Sequence, residues 1–222
     1  MNVHEVKDYQ IYATSALRES KNHKEVILEI KKTTGLKINL ISGLKEAKII
    51  SKGNSLEKIE FNRTFLYVDV GGGSTEFSLF YEGKIIASKS FKNGTVRLLN
   101  EMVNDIVWQE MEKWIKANVE PFENITLIGS GGNINKILSI KRNDSKLNYK
   151  EIKQIYNELS PLSIEERMDL YILKKDRADV IVPALLIYSN IMKWANIEDI
   201  NVPKIGLVDG LIHHLYELVL AD

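Results

Sequence analysis

The apolar segment TFLYVDV runs through Asp69 and Val70 straight into Gly71-Gly72-Gly73-Ser74-Thr75-Glu76. Successive glycines admit backbone angles and close approaches that a Cβ forbids. The segment after them is not helical in pattern. EFSLFYEGKIIASKSF alternates with period two and carries Glu82-Gly83 at its centre, so the glycine run is predicted to join two strands. That placement argues against a P-loop and a dinucleotide-binding turn, because both feed a helix N-terminus, and the G-x-x-x-x-G-K-[ST] pattern is absent. Two readings remain. The run is either a structural hairpin or a cradle whose amides converge on phosphate oxygens, with Ser74 and Thr75 as hydroxyl donors. Asp69, fixed at a strand end, can hold a hard cation such as Mg²⁺ beside that phosphate.

Around this loop the chain alternates strand and helix patterns. QIYAT reads as a strand, KNHKEVILEIKKTTG as an amphipathic helix stopped by Gly35, and KINLI as the next strand. A helix over Leu44 to Ile50 and a polar passage over Gly53 to Asn62 complete the first section. Beyond the glycine run, the apolar spacing of residues 96 to 119 predicts one long helix, with Trp108 and Trp114 in packing roles, ended by Pro121. NITLIG is a strand; NINKILSI, YKEIKQIYNELS, SIEERMDLYIL and DVIVPALLIYSNIMKWA are helices; KIGLV is a short strand before a terminal helix LIHHLYELVLA. The order specifies an α/β architecture, cut near residues 53 to 63.

Thirty Lys plus Arg balance thirty Asp plus Glu, which argues against a broad nucleic-acid-duplex or anionic-membrane footprint. The absence of Cys removes disulfides, thiolate nucleophiles and Cys-ligated metals, and His4, His23, His213 and His214 do not have a metal-ligand spacing. No stretch is apolar enough to span a membrane and the first residues show no secretory core, so the cytoplasm is the expected compartment.

Further candidates lie in turns. Ser130-Gly131-Gly132-Asn133, between a strand and a helix, is either an ordinary turn or an amide site for phosphate. Glu46 in ISGLKEA can deprotonate a water or simply cap a helix. Arg18 has the fork to engage two phosphate oxygens, with a surface ion pair as its plain alternative. Lys92-Asn93-Gly94-Thr95 and Arg177-Ala178-Asp179 can line a cleft or serve as turn, cap and salt bridge.

Taken in order, ATSALRES, ISGLKEA, DVGGGSTEF, KNGTVRLL, IGSGGN and RADVIVPA resemble the exopolyphosphatase and guanosine pentaphosphate phosphatase (Ppx/GppA) family over residues 11 to 212. The resemblance implies an actin-like (ribonuclease H-like) α/β phosphatase fold with two lobes: a partial first lobe over 1–62 and a second over 63–222, the terminal helix returning toward the first. It further implies an enzyme that uses Mg²⁺ or another divalent cation to release terminal phosphate from polyphosphate or a guanosine pentaphosphate nucleotide.

By position, Glu46 resembles the family's water-activating carboxylate and Arg18 a phosphate-facing arginine; both are the expected catalytic residues. Asp69 resembles the metal-associated acid and Glu76 the acidic residue after the loop, with a metal or loop-orienting role. Gly71, Gly72, Gly73, Ser74 and Thr75 resemble the second phosphate loop, Asn93 and Gly94 a later turn at the cleft, and Gly131 and Gly132 the glycine turn of the second lobe.

The sequence also departs from the family pattern. The family's early hairpin, an acidic residue with Gly-Ser-Asn-Ser, has no counterpart here, so half of the expected phosphate clamp is missing and the first lobe is expected to be incomplete. Lys45 stands where an acid is common, and Ala184 replaces a common glycine. The competing reading is a noncatalytic phosphate or nucleotide sensor completed by a missing segment or a partner. A homodimer is compatible with either.

Overall fold

The structure, a computed structural model, describes residues 3, 5, 6, 8–18, 20–42, 45, 49, 64–82, 84–143, 145–203, 208, 210–212, 215 and 216. Strands β1 (Ile11–Ala13) and β2 (Ile38–Leu40) pair in parallel, Ile11 opposite Ile38. A parallel pair needs a crossover, which α1 (Ser15–Arg18) and α2 (His23–Thr34) provide. Gly35 ends α2 at φ 74, the left-handed region open to glycine, and returns its N–H to the Lys31 carbonyl.

The larger sheet has six strands in the order β5-β4-β3-β6-β8-β7. β3 (Phe65–Val70), β4 (Thr75–Tyr81) and β5 (Lys84–Phe91) form an antiparallel meander. β6 (Thr126–Ser130) runs parallel to β3, β8 (Asp199–Asn201) parallel to β6, and β7 (Lys146–Asn148) antiparallel to β8. β3 is covered on both faces, which is why TFLYVDV reads as a nearly unbroken apolar run and not as an alternating one.

After the hairpin come α3 (Thr95–Leu99), α4 (Asp105–Val119), α5 (Gly132–Lys141), α6 (Tyr149–Leu159), α7 (Ile164–Tyr171), α8 (Lys175–Ala178) and α9 (Ile181–Ala195). Met111, Ile115 and Val119 recur every fourth residue on α4 and are all buried. Each such side chain contributes about 1.5–3 kcal/mol of burial. Trp114 packs against Phe77 at 5.4 Å between ring centroids, and Trp108 meets Trp194 edge-on at 5.9 Å, so both tryptophans serve packing. α6 and α7 begin with capping boxes, Asn148 with Glu151 and Ser163 with Glu166. Pro183 falls in the first turn of α9, where its missing N–H costs little.

The single helix expected over 96 to 119 is two. Glu101 adopts φ 55, and the Asn104 side chain accepts from the Val107 N–H to start α4 afresh. The apolar spacing hides the break, because Val96, Leu99 and Ile106 belong to the stripe yet are exposed. No sequence pattern marks the short strands β7 and β8. Of the expected KIGLV strand, residues 204–207 lie outside the described residues and Val208 is helical. Lys45 and Ile49 are helical, as are the described positions of the terminal helix; the polar passage and the proposed boundary lie outside the described residues. Among the described residues no helix is long and apolar enough to cross a membrane.

Candidate active site

The site is organised by the register of the β3–β4 hairpin. Val70 pairs with Thr75 and Asp69 with Glu76, and the Gly71 N–H donates to the Ser74 carbonyl at 3.0 Å. Since Ser130 is the β6 partner of Asp69 and Ser90 the β5 partner of Glu76, one transverse row crosses four strands: Ser130, Asp69, Glu76, Ser90. Laterally paired residues share a sheet face, so the two carboxylates are neighbours by construction.

The loop's carbonyls are drawn to α3. Thr95 N–H donates to Gly71 O at 2.9 Å, Val96 N–H to Gly72 O at 2.9 Å, and Arg97 Nε to Gly73 O at 2.6 Å. In a trans peptide the N–H opposes the preceding C=O, so the Gly72 and Gly73 amides point away from α3. Among the described residues neither amide has a protein acceptor. Gly94 permits this fit: a Cβ there would lie 2.4 Å from Gly72 O and 2.5 Å from Ser74 N.

Gly71, Gly72 and Gly73 line a cleft of about 420 Å³ together with Asp69 and Glu76, with Thr14 and Ala16 from the smaller sheet's crossover, and with Val96, Arg97 and Met102 from α3 and its exit. Glu76 Oε1 accepts from Ser74 Oγ at 2.5 Å and Ser90 Oγ at 2.9 Å, and Arg18 Nη2 stands 3.9 Å away. Arg18 Nη1 also donates to Ile41 O at 2.9 Å, so this guanidinium ties the smaller sheet to the carboxylate row. Burial, and secondarily the charge of Glu76, push the Asp69 carboxyl up to about 7. Gly131, at φ 114, lies so close that a Cβ would meet Val70 O at 2.9 Å and Asp69 Oδ1 at 3.3 Å. The buried Tyr188 hydroxyl donates to Ser130 O, and burial with the nearby Asp69 raises its pKa well above the usual phenol value.

The expected residues therefore divide. Asp69, Glu76 and Gly71 to Gly73 line the cleft together, and Arg18 reaches to 3.9 Å from Glu76. Three side chains expected to face phosphate are buried elsewhere. Ser74 gives its hydroxyl to Glu76, Thr75 donates to Asn93 O at 2.5 Å, and Asn93 turns Nδ2 toward Met111 Sδ at 3.2 Å. Gly94 supports the loop from behind, and Gly132 packs against the Arg177 guanidinium, which donates to Asn133 Oδ1 at 2.8 Å. Glu46 lies outside the described residues. Sequence reasoning gives no role to Ser90, Arg97 or Tyr188 and sees Ser130 only as part of the second glycine turn; counting the hairpin registers outward from the glycine run would find Ser90, whereas the pairing of Ser130 with Asp69 joins strands distant in the chain.

Asp69 and Glu76 present carboxylate oxygens on one row, the donor type a hard cation takes. Among the described residues no three acidic or His side chains converge on one point.

Among curated relatives, a bifunctional 3-dehydroquinate synthase/phosphatase of Fusobacterium nucleatum is 30% identical over 216 residues, 86% of this chain and 32% of that protein. A putative exopolyphosphatase of Haemophilus influenzae is 25% identical, covering 95% of this chain and 70% of the relative. A guanosine-5'-triphosphate,3'-diphosphate pyrophosphatase of Aeromonas salmonicida is also 25% identical, across 93% and 44%. The chain thus spans less than half the length of the first and third. Among solved structures, an exopolyphosphatase of Cytophaga hutchinsonii superposes with TM-score 0.81 at 22% identity, over 97% of this chain and 77% of that one. The Aquifex aeolicus Ppx/GppA protein gives 0.74 at 21%, over 100% and 77%. The expected fold class holds. A model described as the Ppx/GppA phosphatase family matches residues 1–218, so a single family description spans both sheets and the cleft between them, and the chain belongs to that family.

Proposed function

We propose that this chain hydrolyses the terminal phosphoanhydride bond of inorganic polyphosphate or of a guanosine pentaphosphate nucleotide. The observation that carries the reading is the pairing of Asp69 with Glu76 directly beneath a loop whose Gly72 and Gly73 amides have no protein acceptor among the described residues. The substrate classes come from relatives named putative exopolyphosphatase and guanosine-5'-triphosphate,3'-diphosphate pyrophosphatase.

In this reading the Gly72 and Gly73 N–H groups hold oxygens of the phosphoryl group being transferred, where fixed donors cost no reorganisation as charge develops. Arg18, 3.9 Å from Glu76, adds positive charge for the polyanion. Glu46 accepts the proton of the attacking water as its oxygen bonds to phosphorus and the bridging P–O bond breaks. Asp69 and Glu76 would hold a divalent cation, which when bound neutralises phosphate charge. Ser74 and Ser90 fix the Glu76 carboxylate from both sides. Ser74, Thr75, Asn93 and Gly94 shape the loop without touching substrate.

The test is phosphate release from polyphosphate and from guanosine pentaphosphate, measured separately with Mg²⁺. Glu46→Gln is expected to lower turnover by about 10²-fold or more without changing the unfolding temperature. No release from either substrate by the unsubstituted chain, or full turnover by Glu46→Gln, overturns the reading.

A further inference from the structure

The lining of the cleft is of two kinds. Asp69, Glu76 and the glycine loop suit an anion and its counter-ion, whereas Ala16, Val96 and Met102 present apolar side chains to the same space. Val96 lies against the loop, its Cγ2 3.1 Å from where a Cβ at Gly72 would stand. Met102 is brought to the cleft by the turn that ends α3, in which Glu101 takes φ 55 and the Met102 N–H donates to Arg97 O at 2.9 Å. Neither side chain is spent on the core: Val96 is 49% exposed and Met102 63%.

Inorganic polyphosphate is a run of charged tetrahedra with no apolar surface to lay on such a wall. A nucleoside polyphosphate joins the same anion to a ring with apolar faces. Covering exposed apolar side chains with that ring removes both from water, and a thioether adds favourable sulfur–aromatic contact. Arg97, which lines the same cleft, offers a guanidinium plane on which a base stacks. We infer that Val96 and Met102 are specificity-determining residues: they form an apolar wall that seats the base of a nucleoside polyphosphate while its phosphates engage the glycine loop, so the site selects the nucleotide over inorganic polyphosphate. The inference rests on the hydrolase reading for the identity of the anion and deepens it by choosing between its two substrate classes. The ribose and inner phosphates give the base the reach to lie along α3 and not over the reacting phosphorus.

The test is calorimetric binding of GTP and of inorganic tripolyphosphate, each with Mg²⁺, to the full 222-residue chain carrying Glu46→Gln to slow consumption of the probes. The two probes share a run of three phosphates, and the inorganic one carries no less negative charge, so charge alone does not favour the nucleotide. GTP is expected to bind about 10-fold more tightly than tripolyphosphate. Adding Met102→Gln, which keeps the length of the side chain and makes it polar, is expected to shrink that advantage about 3- to 10-fold. Val96→Thr, which keeps the shape and adds a hydroxyl, is expected to shrink it by a smaller factor. Both positions are exposed, so the unfolding temperature is expected to stay within a few degrees. Tripolyphosphate binding as tightly as GTP overturns the inference, as does an undiminished GTP advantage in Met102→Gln, or failure of the chain to bind either probe. If Met102→Gln fails to fold, Val96→Thr decides by the same ratio. Phosphate release by the chain without Glu46→Gln separates the two readings. A chain that prefers GTP through this wall but releases no phosphate sinks the hydrolase reading and leaves the wall standing, whereas one that hydrolyses polyphosphate and shows no preference for GTP does the reverse.

Discussion

Asp69 and Glu76 are direct cross-strand partners, and the second carboxylate helps hold the first in its protonated form up to about pH 7. The unfolded chain loses that proton near the ordinary value of 3.8. Between those values the folded state binds the extra proton, so this pair's contribution to stability falls as pH rises through 7. In metal-free protein, Asp69→Asn is therefore expected to be neutral near about pH 4 and stabilising by on the order of 3 kcal/mol near about pH 8. Chemical denaturation across that range in the presence of chelator checks it; parallel pH profiles for the two proteins would refute the coupling.

The same pair predicts the behaviour toward divalent cations. A cation held by Asp69 and Glu76 competes with the Asp69 proton, so Mg²⁺ should raise the unfolding temperature above pH 7 and progressively less below it. Thermal scans with and without Mg²⁺ at several pH values measure the effect, and Asp69→Asn should abolish most of it. Equal Mg²⁺ stabilisation in the substituted protein would place the cation elsewhere.

Gly94 predicts a loop defect separable from global stability. A Cβ at this position would stand 2.4–2.5 Å from Gly72 O, Gly72 C and Ser74 N, all backbone atoms that have no side-chain freedom with which to yield. Gly94→Ala should force the loop off α3, costing about 1–3 kcal/mol and more of phosphate release than of fold. Hydrogen exchange should show faster exchange at Thr95 and Val96, whose amides bond the loop carbonyls. Unchanged exchange there would mean the loop accommodates the methyl.

The hairpin and its glycine connection are legible in the sequence because alternation, Glu82-Gly83 and the glycine run are local signals, and local signals also give α2 with its Gly35 stop. The carboxylate pair is only half legible. Asp69 and Glu76 each stand out beside the glycines, but their pairing depends on how many residues the turn consumes, which the Gly71 to Ser74 hydrogen bond decides. The helix break at Glu101 escapes detection because exposed Leu99 and Ile106 imitate a buried stripe. Short β7 and β8 escape it because three residues carry too little periodicity to distinguish from a loop. The partners of Ser74, Thr75 and Asn93 are hidden for one shared reason: composition names a hydroxyl or an amide, whereas its partner comes from a neighbouring strand or helix.

Tyr188 extends that lesson to a residue the sequence shows only as part of an apolar helix. Its hydroxyl, on fully buried α9 surface, donates to Ser130 O, the last residue of β6 before the Gly131 turn that packs on Asp69. Tyr188→Phe keeps the ring and removes the donor, so the expected loss is about 1–2 kcal/mol, or a few degrees in unfolding temperature for a chain of this size. Tyr188→Ala also opens a cavity between α9 and the sheet and should cost about 3–5 kcal/mol. The hydroxyl's specific contribution is to the turn: Tyr188→Phe should reduce phosphate release while a core substitution of similar cost remote from β6, such as Ile155→Val, should not. Denaturant unfolding and turnover measured on both proteins separate the two effects, and equal turnover would reduce Tyr188 to packing alone.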